Sequence, residues 1–240
     1  MINIKDLSLK IDNIQMFNNI NINFPKEKLS ILMGLNGAGK TTLLKIIAGI
    51  IKQNNGTIEK NCNELFYLPQ RIKYPQGITL QEYIESSFYK QNWKWFLSNE
   101  EKNKISEILE LLELTDKKET LIDNLSSGEL QKANIALGLV SNADVLLLDE
   151  PTSNMDLINQ IKILDIIKKL TTKGITIIII LHDLNLAVKY GDYFVGMKKQ
   201  GSIISANKQD FVKEEILKEI FGINFKVINN EEDFHIQISN

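Results

Sequence analysis

Two short runs limit the fold more than any other feature: residues 145–148 (Val-Leu-Leu-Leu) and 175–181 (Ile-Thr-Ile-Ile-Ile-Ile-Leu). A strand with one wet face alternates apolar and polar side chains. A strand that is apolar throughout needs cover on both faces, as in parallel sheets flanked by helices. A helical pattern at 157–170 separates the two runs, the β-α-β order that builds such a sheet. The first 34 residues read differently. Ile2, Ile4, Leu7, Leu9, Ile11, then Ile20, Ile22, Phe24, then Leu29 and Ile31 alternate with polar residues. With breaks at Asp12-Asn13 and Pro25-Lys26, they predict three or four short strands of an antiparallel part. Helical spacing is expected at 40–50, 80–114 and 129–141, two strands within 57–70, and a hairpin turning at 229–233. The expected architecture is α/β in a single domain over 1–240. A mostly parallel core with its antiparallel part spans 1–78 and 142–222. A helical insertion fills 79–141, and a hairpin fills 223–240.

Composition narrows the function classes. Of 240 residues, 28 are Lys or Arg and 30 are Asp or Glu, a net charge of -2, which argues against nucleic acid as the main partner. The longest unbroken apolar stretch, 177–181, is far short of the roughly 20 residues of a membrane span. A single cysteine, Cys62, leaves no internal disulfide framework. With no leader visible, the expectation is an intracellular globular protein. Arg71 is the only arginine, so other cationic contacts fall to lysines, point charges without a bidentate fork.

The chemistry is concentrated in Gly34-Leu35-Asn36-Gly37-Ala38-Gly39-Lys40-Thr41, a match to G-x-x-x-x-G-K-[ST]. It follows a predicted strand at 29–33 and opens a predicted helix, the context this loop requires. Its glycines let the backbone wrap closely, so N–H groups and the positive helix end converge on phosphate oxygens. Lys40 is placed to reach the β- and γ-phosphates and the Thr41 hydroxyl to ligate Mg²⁺. The second half of the site is the strand 145–148 followed by Asp149-Glu150-Pro151. Ligands bind beyond the carboxyl ends of parallel strands, which sets Asp149 beside the loop to hold the Mg²⁺ shell. Glu150, one residue further, is placed to orient and polarise the water that attacks the γ-phosphate.

With Leu125-Ser126-Ser127-Gly128-Glu129, these strings resemble the nucleotide-binding subunit of ATP-binding-cassette (ABC) transporters, a P-loop NTPase fold. The resemblance runs in order over nearly the whole chain, and the five-residue signature is its discriminating part. It implies ATP and Mg²⁺ as cofactors and ATP hydrolysis as the activity. It adds Asn36, Gly37, Ala38, Gly39 and Thr42 to Lys40 and Thr41 as ATP-binding residues, with Ile11 at the adenine-stacking position. Tyr67-Leu68-Pro69-Gln70 resembles the family's Q-loop, which makes Gln70 a Mg²⁺ contact that senses the membrane partner. His182 falls at the switch histidine, and Asp156 lies in a D-loop at the dimer contact. Ser126, Ser127, Gly128 and Glu129 would meet the γ-phosphate held by an opposite copy. Read on its own, the same segment is a Ser-capped helix start. Two copies would sandwich two ATP molecules head to tail.

Three positions depart from the family pattern. Ile11 replaces the usual aromatic, with Phe17 as a partial substitute. Ser127 replaces a glycine and Lys132 an arginine. Without a membrane span, a transport role needs separate permease subunits, with a solute-binding protein indirectly involved. The chain would then lie peripherally on the inner, cytoplasmic face of the membrane. Residues 88–96 interleave aromatics with polar groups, which suits either a contact surface for that partner or the insertion's own core. Leu181-His182-Asp183-Leu184-Asn185-Leu186-Ala187 and the segment 215–222 resemble the ATPases of iron–siderophore, haem and cobalamin importers. The alternatives are a soluble ABC ATPase serving iron–sulphur cluster assembly, or a nucleotide-gated module with little turnover. Cys62, His235 and the pairs Lys168-Lys169 and Lys198-Lys199 are read as outside the site.

Overall fold

The computed structural model describes residues 1–92, 97–198, 201–230 and 233–239. The first half of the chain forms β1 (Ile2–Ile11), β2 (Ile14–Phe24), β3 (Leu29–Gly34), α1 (Lys40–Ile47), β4 (Asn55–Lys60), β5 (Leu65–Leu68), α2 (Leu80–Asn92) and α3 (Asn99–Leu111). After two short 3-10 turns come α4 (Ser127–Val140), β6 (Val145–Leu148), α5 (Leu157–Thr172), β7 (Thr176–Ile180), α6 (Leu184–Tyr190) and β8 (Tyr193–Met197). The remainder is β9 (Ile203–Asn207), α7 (Lys208–Phe211), α8 (Glu214–Phe221), β10 (Phe225–Asn230) and β11 (Asp233–Ile238).

The central sheet has the order β5-β6-β7-β3-β8-β9, parallel throughout except for the edge strand β9. The continuous apolar runs follow from cover on both faces. Leu146, Leu148, Ile177 and Ile179 pack into one core, with the insertion helices and α5. Their neighbours Val145, Leu147, Ile178 and Ile180 enter a second core with α1 and the amino-terminal strands. Each such side chain contributes about 1.5–3 kcal/mol by leaving water.

The amino-terminal alternation does produce an antiparallel sheet, with two corrections. Its order is β2-β1-β4, so β3, read as part of that pattern, belongs instead to the parallel sheet. The helix expected at 40–50 ends at Ile47, and the one expected from 129 starts at Ser127. The 80–114 pattern is two helices, because Ser98 and Glu101 form a capping box that starts α3.

Register aligns the carboxyl ends that carry the chemistry. Leu68 pairs with Leu148, Leu148 with Ile179, and Leu32 with both Ile180 and Val195. Gln70, Asp149, Glu150, His182 and the glycine loop therefore leave the sheet at one edge, from β5, β6, β7 and β3.

Candidate nucleotide and hydrolysis site

The glycine loop is shaped by contacts only glycine permits. Gly34 has φ +141, and a Cβ there would lie 2.1 Å from the Met197 carbonyl oxygen. Gly39 has φ +94 and would meet the Phe17 ring at 2.9 Å. From Gly39, in the left-handed region, α1 starts with no side-chain cap and no acidic residue in its first turn. Its leading N–H groups and dipole are left for an anion. A pocket of about 210 Å³ sits there, lined by Met16, Asn36, Gly37, Gly39, Lys40, Thr41, Thr42 and Glu150. Ala38 is buried beneath the loop. The Lys40 ammonium donates to the carbonyls of Gly34 (2.8 Å) and Leu35 (3.1 Å). Burial lowers its pKa, opposed by the charges of Glu150 and Asp149.

Asp149 is buried, and two groups hold its carboxylate. The Thr41 hydroxyl donates to one oxygen at 3.0 Å and the Tyr67 phenol to the other at 3.3 Å. Burial raises the Asp149 pKa against the pull of those two hydrogen bonds. It raises the Tyr67 phenol as well, with the Asp149 charge adding to the effect. A carboxylate and a hydroxyl this close form an oxygen-only donor set suited to a hard divalent cation such as Mg²⁺. Glu150 adopts φ +51, a left-handed conformation that costs a side-chain-bearing residue of the order of 1–3 kcal/mol. There its two oxygens are held from opposite sides. Gln70 Nε2 donates to Oε2 at 2.6 Å, and His182 Nε2 lies 2.6 Å from Oε1. The amide oxygen of Gln70 remains the part of that group able to ligate a cation.

One reading beside the loop changes. Phe17 cannot stand in for the missing aromatic, because its ring is fully buried against Gly39. Met16, not anticipated, lines the pocket at the loop, while Ile11 ends β1 exposed. Met16 and Phe17 are neighbours in a strand, so their side chains take opposite faces. Tyr67 was missed as a site residue. Its place in β5 and its bond to Asp149 depend on strand register, which the local string does not carry.

The signature lies elsewhere, and none of residues 126–129 lines the phosphate pocket. Ser126 caps α4, its hydroxyl accepting from Glu129 N–H at 3.3 Å while the Glu129 carboxylate accepts from Ser126 N–H at 2.9 Å. Lys117 pairs with Glu129 at 3.0 Å, and these contacts, the Ser126 N–H first, hold that carboxyl at about 2. Lys132 keeps its charge in an ion pair with Glu113 at 2.9 Å. Asp156 caps α5, accepting from Asn159 N–H at 2.9 Å, and Asn159 packs against Gly128.

Of the residues set aside, His235 is exposed, but Lys168 is an ion-pair partner of Asp192 (2.7 Å) and Lys198 of Glu219 (2.6 Å). Trp93, Trp95 and Lys199 lie outside the described residues. An apolar groove of about 590 Å³ runs between β5, α2 and α4, lined by Phe66, Tyr67, Pro69, Ile72, Tyr83 and Leu137 among others. Among the described residues no helix is long and apolar enough to cross a membrane.

A family model described as "ABC transporter" matches residues 17–153. The achromobactin transport ATP-binding protein CbrD of Dickeya dadantii is 32% identical, covering 93% of this chain and 88% of that one. The iron(3+)-hydroxamate import ATP-binding protein FhuC of Bacillus subtilis is 31% identical, covering 88% and 84%. In fold, the chain superposes on a solved ABC transporter in an inward-facing conformation with a TM-score of 0.88 at 23% identity, covering 99% and 96%.

Proposed function

The chain belongs to the ABC transporter family as an ATP-hydrolysing subunit, and from that premise we propose that it powers import of a metal chelate, of the iron–siderophore class, through a separate membrane permease. The relatives named for achromobactin and iron(3+)-hydroxamate support the solute class. The clamping of Glu150 between Gln70 and His182, at the mouth of the phosphate pocket, carries the hydrolytic assignment.

The geometry supports a division of labour. The uncapped start of α1 and Lys40 hold the β- and γ-phosphates. Thr41, Asp149 and Gln70 would hold Mg²⁺, which when bound neutralises charge on the phosphates. Glu150 takes a proton from, or fixes the orientation of, the attacking water. His182 and Gln70 keep its carboxylate aimed along the pocket. The signature of a second copy would close the site over the γ-phosphate, in a two-fold pair.

The groove beside Tyr67 and Pro69 suits a cytoplasmic segment of the permease, since it is the apolar surface next to Gln70. Seated there, the chain would lie on the cytoplasmic face of the membrane. Glu150→Gln should leave ATP binding within about threefold while hydrolysis falls at least a hundredfold, the scale of losing a group that acts in the transition state. Cells carrying that variant should lose uptake of radiolabelled ferric hydroxamate or a related chelate. Hydrolysis that survives Glu150→Gln overturns the catalytic assignment. Unchanged uptake across a panel of iron chelates overturns the solute class alone.

A further inference from the structure

We propose that the carboxy-terminal hairpin β10–β11 clamps the helix that follows His182, and that Asn185 is the positioning residue through which it acts. The proposal rests on the reading of His182 as part of the hydrolytic site.

His182 sits two residues ahead of α6, a helix of seven residues. A helix that short has little stability of its own, so its place is set by what it packs against. Leu186, Ala187, Val188 and Tyr190 bury one side. Asn185 faces the hairpin, where its amide makes both hydrogen bonds that a neighbouring strand would make. Nδ2 donates to the Ile236 carbonyl at 3.2 Å, and Oδ1 accepts from the Ile236 N–H at 2.8 Å. Asn fits this pairing because its short planar amide carries a donor and an acceptor side by side; Asp lacks the donor.

The hairpin is itself anchored. Ile236 is buried in the same core as α6, and Glu214 of α8 accepts from the Val227 N–H at 2.9 Å. Phe225 meets Phe221 edge to face at 5.7 Å. On its strand side, the segment before His182 is tied by a long bond, Leu181 N–H to the Leu32 carbonyl at 3.4 Å. On its other side, the support comes from α6. Asp183 caps it by accepting from the Leu186 N–H at 2.8 Å, and Asn185 fixes it to the hairpin. A shift of α6 would move His182 off the Glu150 carboxylate, 2.6 Å away. The hairpin thus sets the aim of His182 through α6.

The test compares steady-state ATP hydrolysis of the full chain with Asn185→Ala, Asn185→Asp and His182→Ala. Melting temperature and the number of nucleotides bound per chain are followed alongside. Two lost hydrogen bonds of about 1 kcal/mol each predict that Asn185→Ala lowers kcat by up to roughly thirtyfold. KM for ATP should stay within twofold and nucleotide stoichiometry should be unchanged. Amide hydrogen exchange should rise across 181–190. Asn185→Asp, which keeps the acceptor but sets a carboxylate oxygen against the Ile236 carbonyl, should lower kcat at least as far. If His182→Ala leaves kcat unchanged, the reading of His182 fails and the proposal with it. If His182→Ala lowers kcat while both Asn185 variants hydrolyse ATP at the wild-type rate, the clamp alone is overturned. A fall in activity matched by an equal fall in bound nucleotide also overturns it, since that is loss of folded protein.

Discussion

Helices α1 and α4 both start at small-residue turns that present N–H groups, yet their ends are finished in opposite ways. The α1 start has a left-handed glycine, no side-chain cap and no acid in its first turn, and it opens into a pocket of the same chain. The α4 start has a full capping box and an ion pair from Lys117, and none of its residues lines that pocket. The first end is left without a side-chain cap, open to an anion. The second is completed by its own chain and needs no ligand in order to fold. Beside it, Leu157 and Ile158 of α5 are 59% and 68% exposed, an apolar surface that suits a second copy. On the proposed function, one helix end serves the chain's own nucleotide and the other is presented to a second copy.

The sharpest way to break this contrast is Ser126→Asp. Aspartate caps a helix about as well as serine, but it loses the hydroxyl's bond to the Glu129 carboxylate at 2.8 Å, so α4 should stay folded with a melting temperature a few degrees lower. Its charge would oppose any phosphate brought to α4, and hydrolysis should fall at least about a hundredfold, the scale of removing a site's electrostatic stabilisation. Activity near wild type would reduce the signature to a cap.

A smaller effect is expected on the α1 side. Tyr67→Phe removes one of two side-chain hydrogen bonds to Asp149, a long one at 3.3 Å and so worth about 0.5–1.5 kcal/mol. The Mg²⁺ concentration giving half-maximal nucleotide binding should move by about three- to tenfold, read with a fluorescent nucleotide. No shift would mean that Thr41 alone positions the carboxylate.

The smallest effect is on stability against pH. The Glu129 carboxyl is held at about 2 when folded, against about 4.3 in an unfolded chain. A depressed carboxyl stabilises the fold above its unfolded value and loses that contribution as pH falls through the folded one. Urea unfolding at pH 6 and pH 3 should show wild type losing more stability than Glu129→Gln over that interval. Equal losses would show that the box contributes little to α4.

The strings assigned to phosphate and to the attacking water were legible because each is local: the glycine loop, Asp149-Glu150 and the signature each span only a few residues. The parallel core was legible too, since the 145–148 and 175–181 runs demand cover on both faces. Pairings between distant segments were not. Nothing in the alternation of the first 34 residues says that β4, rather than β3, completes the amino-terminal sheet. Tyr67 reaches Asp149 only because β5 pairs in register with β6, and Asn185 meets Ile236 across fifty residues of chain. Phe17 shows the same limit: its type suggested a base contact, but strand alternation turned it inward and left Met16 at the pocket. One local signal was overlooked, the Ser98–Glu101 capping box that divides the insertion's helical stretch.

The claim that α4 acts on another chain's nucleotide is tested most directly by mixing two inactive proteins. Lys40→Ala lacks a working phosphate loop but keeps its signature; Ser126→Asp lacks the signature but keeps the loop. Measured alone, each should hydrolyse ATP at background rates. Mixed, they form one complete composite site, and hydrolysis should reappear with a dependence on the concentration of both proteins. A mixture that stays at background while wild type is active would place the signature's action within its own chain and contradict the account.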